Sequence, residues 1–399
     1  MQSKHQSQTE FIILMASLMS IVALSIGAIL PALETIGIDI NVTQSADNQL
    51  LITMIFLGLG FGQLIFGPLS DSIGRKPIIY AGFLLFVLAS ILCVLAPNLE
   101  IMVLGRILQG IGLSAPRTIS IAMVRDRFSG DYMAKIMSFI VAFFILVPVI
   151  APALGKLMLD AFGWRSIFNS QLLFGAIIMI WLWKRQPETL SPENKTKLSL
   201  SLFIDGLKEF MKFKTAIAFT LISGFITGAF MVYLSASQQI FQEQYGMAEE
   251  IPYLFAAIAV SVGFATFLNG KFVLKYGMLA LVKVFLIAFT GISLVYVIAF
   301  YNHNPNVYIV MTFFSLLFFF IGFLFGNLRS LAMEPVGHIA GVGAAINGFV
   351  STVMAVPIAT YIGGFVKTTA SPLFLGFFAC GAISLLIMFL LKRMIRTSM

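Results

Sequence analysis

The sequence predicts an all-α integral membrane protein with twelve transmembrane helices, arranged as two six-helix halves around a central cavity. Three observations predict this fold class. Of the 399 residues, 59% are hydrophobic and only 11% are charged, twelve apolar runs recur along the chain, and one long charged loop separates six runs from the other six. Soluble domains carry about 25% charged residues, so the composition excludes a large soluble protein.

Each apolar run is long enough to cross the hydrocarbon of a bilayer as a helix, which takes about 20 residues. The strands of a transmembrane barrel would be about 10 residues long with strict alternation, and these runs do not alternate. Charged segments, or segments rich in Pro, Gly or Asn, separate the runs. The predicted spans 1 to 12 cover residues 11–33, 48–69, 77–96, 99–123, 135–159, 164–184, 215–241, 251–274, 278–301, 306–329, 339–366 and 371–392.

The cationic residues predict the orientation, because Lys and Arg gather in the cytoplasmic loops of membrane proteins. With the N-terminus inside, the cytoplasmic segments hold most of the 25 Lys and Arg residues, whereas the opposite side holds Lys156, Arg165 and Lys367. We therefore expect a multi-pass protein of the inner membrane with both termini in the cytoplasm. This distribution explains the net charge of +8 without nucleic acid as a partner.

The longest loop, residues 184–214, predicts the domain boundaries. We expect an N-terminal six-helix half over residues 1–184, a cytoplasmic linker over 185–214 and a C-terminal six-helix half over 215–399. The second part of the linker is predicted to form an amphipathic helix on the anionic leaflet.

A weak internal repeat supports the division into two halves. Gly67 and Gly74 follow span 2, and Gly270 and Gly277 follow span 8 with the same spacing. Such repetition is typical of transporters whose halves rock about a central site.

The stretch "GPLSDSIGRKP" concentrates charge where span 2 leaves the membrane. Gly67 and Gly74 permit a tight reversal and a close approach of helices. The carboxylate of Asp71 can cap the N-terminus of a neighbouring helix or pair with Arg75. In the simpler alternative, Arg75 and Lys76 only enforce the topology.

Span 4 contains two arginines, Arg106 and Arg117. An arginine inside the hydrocarbon costs about 2.5–3.5 kcal/mol on insertion scales, so such residues usually face a cavity or a partner. Eleven residues at about 100° each place both arginines on one face of the helix, with Gln109 nearby. This pattern predicts a polar stripe that lines the cavity, and the alternative is that each arginine extends to the nearer membrane surface.

Further polar side chains in the spans are candidates for contact with a substrate. They are Gln63 in span 2, Tyr233 and Gln238 in span 7, and Asn327 in span 10. The alternative for each is a hydrogen bond between helices, which is the commoner use of a single polar residue in a membrane.

Several of these stretches resemble one family of transporters. "GPLSDSIGRKP" looks like the signature loop between helices 2 and 3 of the major facilitator superfamily, and "RILQGIG" resembles its helix-4 motif in drug/proton antiporters. "VPVIAPALGK" resembles, less closely, the Gly- and Pro-rich helix-5 motif of the exporters. "GWRSIF" and "AMEPVGHIAG" are similar to the bicyclomycin-resistance (Bcr/CflA) branch.

The resemblance implies roles for two of these motifs. The charged loop would form a latch, a contact that holds the N-half to the C-half near span 11 when the transporter faces outward. The helix-5 motif, with Pro148, Pro152 and Gly155, would seal the contact between the halves and favour export. The alternative for these three residues is an ordinary packing kink.

The sequence leaves two possibilities for the residue that would carry a coupled proton. Relatives usually have an aspartate in span 1 at the position of Gly27. In this chain an acidic residue, Glu34, comes seven residues after that position. In a continuous helix Glu34 would lie on the same face as Gly27. It carries the proton, with a pKa raised by burial, or it is a solvated loop carboxylate.

These observations predict a secondary active transporter that exports small amphipathic compounds, such as drugs or toxic metabolites, by alternating access. We expect it to act as a monomer in the lipid bilayer, with a small molecule and protons as partners and the proton gradient in place of a cofactor. No nucleotide loop, nucleophile triad or metal-ligand spacing occurs in the sequence, so we expect neither an enzyme nor a metal site. One alternative is a dedicated carrier of a siderophore, metabolite or nutrient, and a remote one is a receptor that does not transport.

Overall fold

The computed structural model describes residues 6–128, 136, 140, 147, 150–195, 200–301 and 303–397, and these residues form helices and no strands. This observation confirms the predicted all-α class. Helices are expected in hydrocarbon because a helix satisfies its backbone hydrogen bonds internally. The helices are α1 (Gln8–Gly27), α2 (Leu33–Asp39), α3 (Leu50–Ile73), α4 (Arg75–Val94), α5 (Leu99–Arg127), α6 (150–162), α7 (Arg165–Arg185), α8 (Leu200–Lys212), α9 (Lys214–Gln238), α10 (Ile251–Tyr276), α11 (Met278–Phe300), α12 (Val307–Met333), α13 (Ala340–Gly363) and α14 (Ser371–Thr397).

Within the described residues, eleven helical segments are long and apolar enough to cross a membrane. They correspond to all of the predicted spans except the fifth. Most of the first part of that span, 135–149, lies outside the described residues, and its last part is helical as α6.

The contacts between residues divide the chain into two compact units. The first comprises Met1–Thr43 and Met54–Leu198, and the second comprises Gln44–Thr53 and Ser199–Met399. The first four residues of α3 therefore pack with the second unit, although α3 is one continuous helix.

Glycines allow the helices of the first unit to cross with their backbones in contact. A Cβ added at Gly58 of α3 would lie 2.0 Å from the carbonyl oxygen of Ile107, and one at Gly110 of α5 would lie 2.0 Å from that of Ile55. Small residues at such crossings are a common means of association between helices in membranes, where packing replaces the hydrophobic effect.

The helix-5 motif packs against the end of α1. A Cβ at Gly155 would lie 1.9 Å from the carbonyl oxygen of Ala28, and one at Gly27 would lie 2.9 Å from the Cβ of Ala151. The contact described for Gly155 is thus within its own unit. Pro152, the second proline of the motif, lies in α6 next to this crossing, and Pro148 lies outside the described residues.

The first span is not one continuous α-helix, which corrects the geometry expected for Glu34. The α-helical part α1 ends at Gly27, a 3₁₀ turn covers Leu30–Ala32, and α2 begins at Leu33. Pro31 causes this break, because proline lacks the N–H of an α-helical hydrogen bond and its ring clashes with the preceding turn. The regular 100° rotation per residue on which the expected shared face of Gly27 and Glu34 rested is therefore interrupted, and Glu34 is half-buried in the first turn of α2.

An aromatic core fills the second unit. Tyr233 of α9 lies 4.9 Å from Phe314 and 4.6 Å from Phe318, measured between ring centroids. Tyr296 stacks on Phe374 at 3.5 Å. The edge-to-face arrangement of Tyr233 on both phenylalanines is one that aromatic rings prefer. Tyr233 is only 1% exposed, so the structure places this predicted cavity residue inside the core instead.

The close crossing at Gly110 gives a test of the fold. We expect Gly110→Ala to lower the free energy of unfolding by about 1–3 kcal/mol, because its methyl group would overlap the backbone of α3. The control is Gly291→Ala in α11, where a Cβ meets nothing within 4 Å. There the lost flexibility of the unfolded chain should stabilise the protein by about 0.4–1 kcal/mol. Thermal unfolding in detergent measures both, and equal effects of the two changes would contradict the crossing.

Candidate functional site: the Arg75 cluster

The reversal between α3 and α4 depends on one glycine. Gly74 has φ +135°, in the region that glycine adopts readily, and a Cβ there would also lie 3.0 Å from Oε2 of Glu188. Gly67 lies inside α3, and a Cβ there would be 4.0 Å from the nearest side chain, that of Thr118. Of the two glycines predicted to form the reversal, only Gly74 does so, because α3 continues as a helix to Ile73.

The side chain of Arg75 is buried and surrounded by oxygen acceptors. Its Nε and Nη2 donate to the two carboxylate oxygens of Asp126, at 2.8 and 3.1 Å. Its Nη1 donates to Ser70 Oγ at 2.8 Å and to Asp71. The sequence allowed Asp71 either to cap a neighbouring helix or to pair with Arg75, and in the structure it pairs with Arg75. The bidentate contact with Asp126, at the end of α5, is the strongest geometry available to a guanidinium and a carboxylate.

A different carboxylate caps the N-terminus of α4. The Glu188 side chain accepts from the backbone N–H groups of Arg75 and Lys76, both at 3.0 Å. It also accepts from the N–H groups of Thr189 and Leu190. The first N–H groups of a helix have no partner within it, and the positive end of the helix dipole attracts an anion. Glu188 provides α4 with both an acceptor for these N–H groups and a negative charge at the positive end of the dipole.

Further contacts hold the start of the linker on this site. Lys76 Nζ donates to the carbonyl oxygen of Gln186, and Thr189 Oγ1 donates to Asp126 Oδ2 at 3.0 Å. Lys195 Nζ lies 3.4 Å from the carbonyl oxygen of Ile73. We call the connected set the Arg75 cluster, and its members are Ser70, Asp71, Arg75, Lys76, Asp126, Glu188 and Thr189.

Burial determines how much each ion pair of the cluster contributes. The side chain of Arg75 is 3% exposed and that of Asp126 is 13% exposed, whereas that of Asp71 is 40% exposed. Removing one partner of a buried pair costs about 3–5 kcal/mol, because the other charge is left without compensation. An exposed pair contributes about 0–1 kcal/mol. Asp126 therefore stabilises the cluster more than Asp71 does.

A second polar network lies in the middle of the first unit. Arg106 of α5 is fully buried, and its guanidinium donates to Gln109 Oε1 at 2.8 Å and to the carbonyl oxygen of Ser25 at 3.1 Å. Gln109 Nε2 donates to Ser90 Oγ at 2.7 Å. The network thus joins α1, α4 and α5. The alternative in which Arg106 extends to the membrane surface does not hold, since none of its side chain is accessible.

Residues 15–359 match the sequence model of the family described as the Major Facilitator Superfamily. The chain belongs to this superfamily. It is 29% identical over 356 residues to "Uncharacterized MFS-type transporter YdgK" of Bacillus subtilis, and the aligned part covers 88% of this chain and 87% of that protein. It is 27% identical over 391 residues to the "Bicyclomycin resistance protein homolog" of Haemophilus influenzae, with 96% of each chain covered. The motif-based assignment to the superfamily is thereby confirmed, and a bicyclomycin resistance protein homolog is among the relatives.

The solved structures confirm the predicted major facilitator fold. The crystal structure of a D-xylose-proton symporter superimposes with a TM-score of 0.74 over 96% of this chain and 97% of that one, at 15% sequence identity. As a member of the superfamily, the protein is a multi-pass membrane transporter of small molecules and not an enzyme.

In this transporter the remaining candidates of the second unit hydrogen-bond locally or between helices. Asn327 of α12 is 3% exposed and donates to Asn269 Oδ1 of α10 at 2.7 Å. Gln238 of α9 is 4% exposed and donates to Gln242 Oε1 at 2.6 Å. Both amides are thus almost inaccessible, and each has a partner within the unit.

Two candidates of the first unit are half-buried. Gln63 of α3 donates to the carbonyl oxygen of Leu59, one turn back in its own helix, at 3.0 Å. Arg117 of α5 also keeps part of its side chain accessible, unlike Arg106. Their contact with a substrate stays a prediction.

Sequence reasoning missed Asp126 and Glu188. Asp126 is 51 residues from Arg75, and Glu188 is 113 residues away. A signal was present in both cases, because each acidic residue follows the end of an apolar span on the side predicted to be cytoplasmic, where the charged loop also lies.

The helix cap formed by Glu188 can be tested directly. We expect Glu188→Gln to lower the free energy of unfolding by about 0.5–2 kcal/mol, the usual effect of losing an N-terminal cap. We also expect a transport rate about tenfold lower, equivalent to about 1.4 kcal/mol in the barrier. Glu193→Gln, on an exposed residue of the same linker, is the control and should change neither. Equal behaviour of the two variants would contradict the role of Glu188.

The Arg106 network gives a second test. Lysine lacks the planar fork of donors, so Arg106→Lys should lose one of the two hydrogen bonds, at a cost of about 1–3 kcal/mol in stability. Arg125→Lys, on an exposed residue of the same helix, should leave the unfolding temperature unchanged. An unaltered unfolding temperature of the Arg106 variant would refute the bridging role.

Proposed function

We propose that the protein exports small amphipathic compounds by proton-coupled alternating access, with both termini in the cytoplasm. The Arg75 cluster is the observation that carries this proposal. It collects three carboxylates and two cations at helix ends on the side predicted to be cytoplasmic. A network of charged side chains at one membrane surface supports a role as a gate, since a contact there must form and break in each transport cycle.

The exposure of Asp71 supports its role as the latch. Asp126 is held bidentately by Arg75 and has a side chain that is 13% exposed, whereas the side chain of Asp71 is 40% exposed. Asp71 is thus the member of this pair with oxygen surface available to a further partner. We propose that this partner is the C-half, near span 11, in the outward-facing state.

The cargo class follows from the surface chemistry and the relatives. The chain contains 40 Phe and 20 Met, whose side chains can repack around ligands of different shape. A relative of almost the same length is named for resistance to bicyclomycin. Both support a small, partly apolar cargo that leaves the cell, and a monomer is the transporting unit in this proposal.

Proton coupling would fall to Glu34 in this proposal. Glu34 is a half-buried carboxylate in a membrane-spanning segment, beyond the 3₁₀ turn of the first span. Its position inside the first span is what supports this role.

A dedicated carrier without a proton site in span 1 is the second candidate, and one observation favours it. Gly27, at the position of the aspartate in relatives, packs so closely that a Cβ would lie 2.9 Å from the Cβ of Ala151. The crossing of α1 and α6 thus occupies the space that a carboxylate would need.

Everted membrane vesicles energised by a pH gradient, with a fluorescent amphipathic dye, test the proposal. We expect uptake of the dye that a protonophore abolishes. Asp71→Asn should reduce the rate about tenfold, equivalent to about 1.4 kcal/mol, with normal insertion into the membrane. Full activity of this variant would refute the latch.

The same vesicles separate the two candidate functions. Glu34→Gln should abolish the dependence of uptake on the gradient. Gradient-driven uptake that persists in this variant would exclude Glu34 as the proton carrier. Uptake that ignores the gradient in the wild type would favour the dedicated carrier.

A further inference from the structure

The short helix α8 lies at the boundary of the membrane. Only Phe213 separates its last residue, Lys212, from α9, which begins at Lys214 and crosses the membrane. One residue of chain spans at most about 3.6 Å, so the C-terminal end of α8 cannot move away from the start of that span.

One face of α8 is packed on the second unit, which fixes the rotation of the helix about its axis. A Cβ at Gly206 would lie 2.6 Å from Cγ1 of Val342, a residue of α13. Phe210 is 2% exposed and forms a cluster with Ala216 and Ile346. The face that carries Gly206 and Phe210 is therefore covered by protein.

The neighbouring face of α8 is apolar and yet uncovered. Ile204, Leu207 and Met211 are 42%, 39% and 59% exposed. Their spacing of three and seven residues places them within about 60° of one another around the helix. They form one continuous stripe, which we call the α8 stripe.

Cationic side chains come next around the helix. Lys208 and Lys212 lie about 40° and 80° from Ile204, directly beside the stripe. Their side chains are 72% and 69% exposed. Both ammonium groups are therefore accessible to an anion from outside the protein.

Acidic side chains lie farther round than the lysines. Asp205 and Glu209 are about 100° and 140° from Ile204. Asp205 Oδ1 is 3.7 Å from Lys208 Nζ, and Glu209 Oε2 is 2.7 Å from Lys212 Nζ. The order around α8 is thus a packed face, an exposed apolar stripe, a cationic row and an acidic row.

This order is the one expected of a helix that lies in a membrane interface. An apolar face sits at the boundary of headgroups and acyl chains, and lysines beside it extend their ammonium groups to the phosphates while their stems cover apolar surface. The acidic row is then farthest from the anionic headgroups. If the stripe faced water, its apolar side chains would stay exposed without such a favourable surrounding.

We propose that α8 docks on the membrane leaflet beside it, with the α8 stripe in the headgroup–acyl boundary and with Lys208 and Lys212 bound to the phosphates of anionic phospholipids. The covalent link to α9 and the charge order select lipid as the occupant.

Spin labels on the full-length protein test the docking. The native cysteines Cys93 and Cys380 are buried and would be replaced by alanine. In this background, Leu207→Cys reports on the stripe and Asp205→Cys reports on the acidic row. In vesicles of phosphatidylcholine and phosphatidylglycerol, the label at 207 should collide more often with oxygen than with a water-soluble nickel chelate. The label at 205 should show the reverse.

Two outcomes of this measurement would overturn the proposal. Equal access of the nickel chelate to both labels would place the stripe in water. Shielding of the label at 207 from both oxygen and nickel would mean that protein, such as a second copy of the chain, covers the stripe in place of lipid.

A pair of charge variants tests the contact with headgroups, with the label at 207. Lys208→Gln combined with Lys212→Gln should lower the ratio of docked to undocked α8 about fivefold per lysine in vesicles with phosphatidylglycerol, and much less in pure phosphatidylcholine. The matched control, Asp205→Asn combined with Glu209→Gln, keeps the lysines and should not reduce docking. Unchanged docking of the lysine variant in the anionic vesicles would refute the phosphate contact.

Discussion

A guanidinium that is withdrawn from water beside a bilayer must be surrounded by acceptors, and the first unit is organised around two such groups. Arg75 is compensated by the carboxylates of Asp71 and Asp126, with Ser70 in addition. Arg106 donates to neutral oxygens, those of Gln109 and the Ser25 backbone. The first solution neutralises the charge at a helix end, and the second solvates it in the interior. The helices that supply these acceptors are held in place by that requirement.

The helix α5 takes part in both networks, and this connects the interior of the unit with its surface. Arg106 joins α5 to α1 and, through Gln109, to α4. Asp126, twenty residues farther along α5, holds Arg75 at the start of α4. A displacement of α5 would therefore change the acceptors of both arginines together. Because Glu188 binds the same start of α4, the linker is part of this assembly and not only a tether.

The sequence was sufficient for features that depend on local pattern. Composition and run length predicted the helices, and the pair of Asp71 with Arg75 was one of the two interactions expected for that carboxylate. Contacts over long separations were out of reach, as for Glu188, whose partner is 113 residues away. Tyr233 was predicted to line a cavity because its hydroxyl is polar, whereas its ring is what packs, among Phe314 and Phe318. The face predicted for Glu34 assumed a continuous helix, which Pro31 interrupts.

A double-mutant cycle on Arg75 and Asp126 tests the central claim that the buried pair assembles the cluster. The measured quantities are the transport rate and the free energy of unfolding of the wild type, Arg75→Gln, Asp126→Asn and the double variant. Residues in direct contact couple by about 0.5–3 kcal/mol. We expect each single variant to lose most of the activity and the double variant to be no worse than the poorer single one. Losses that add in the double variant would contradict it.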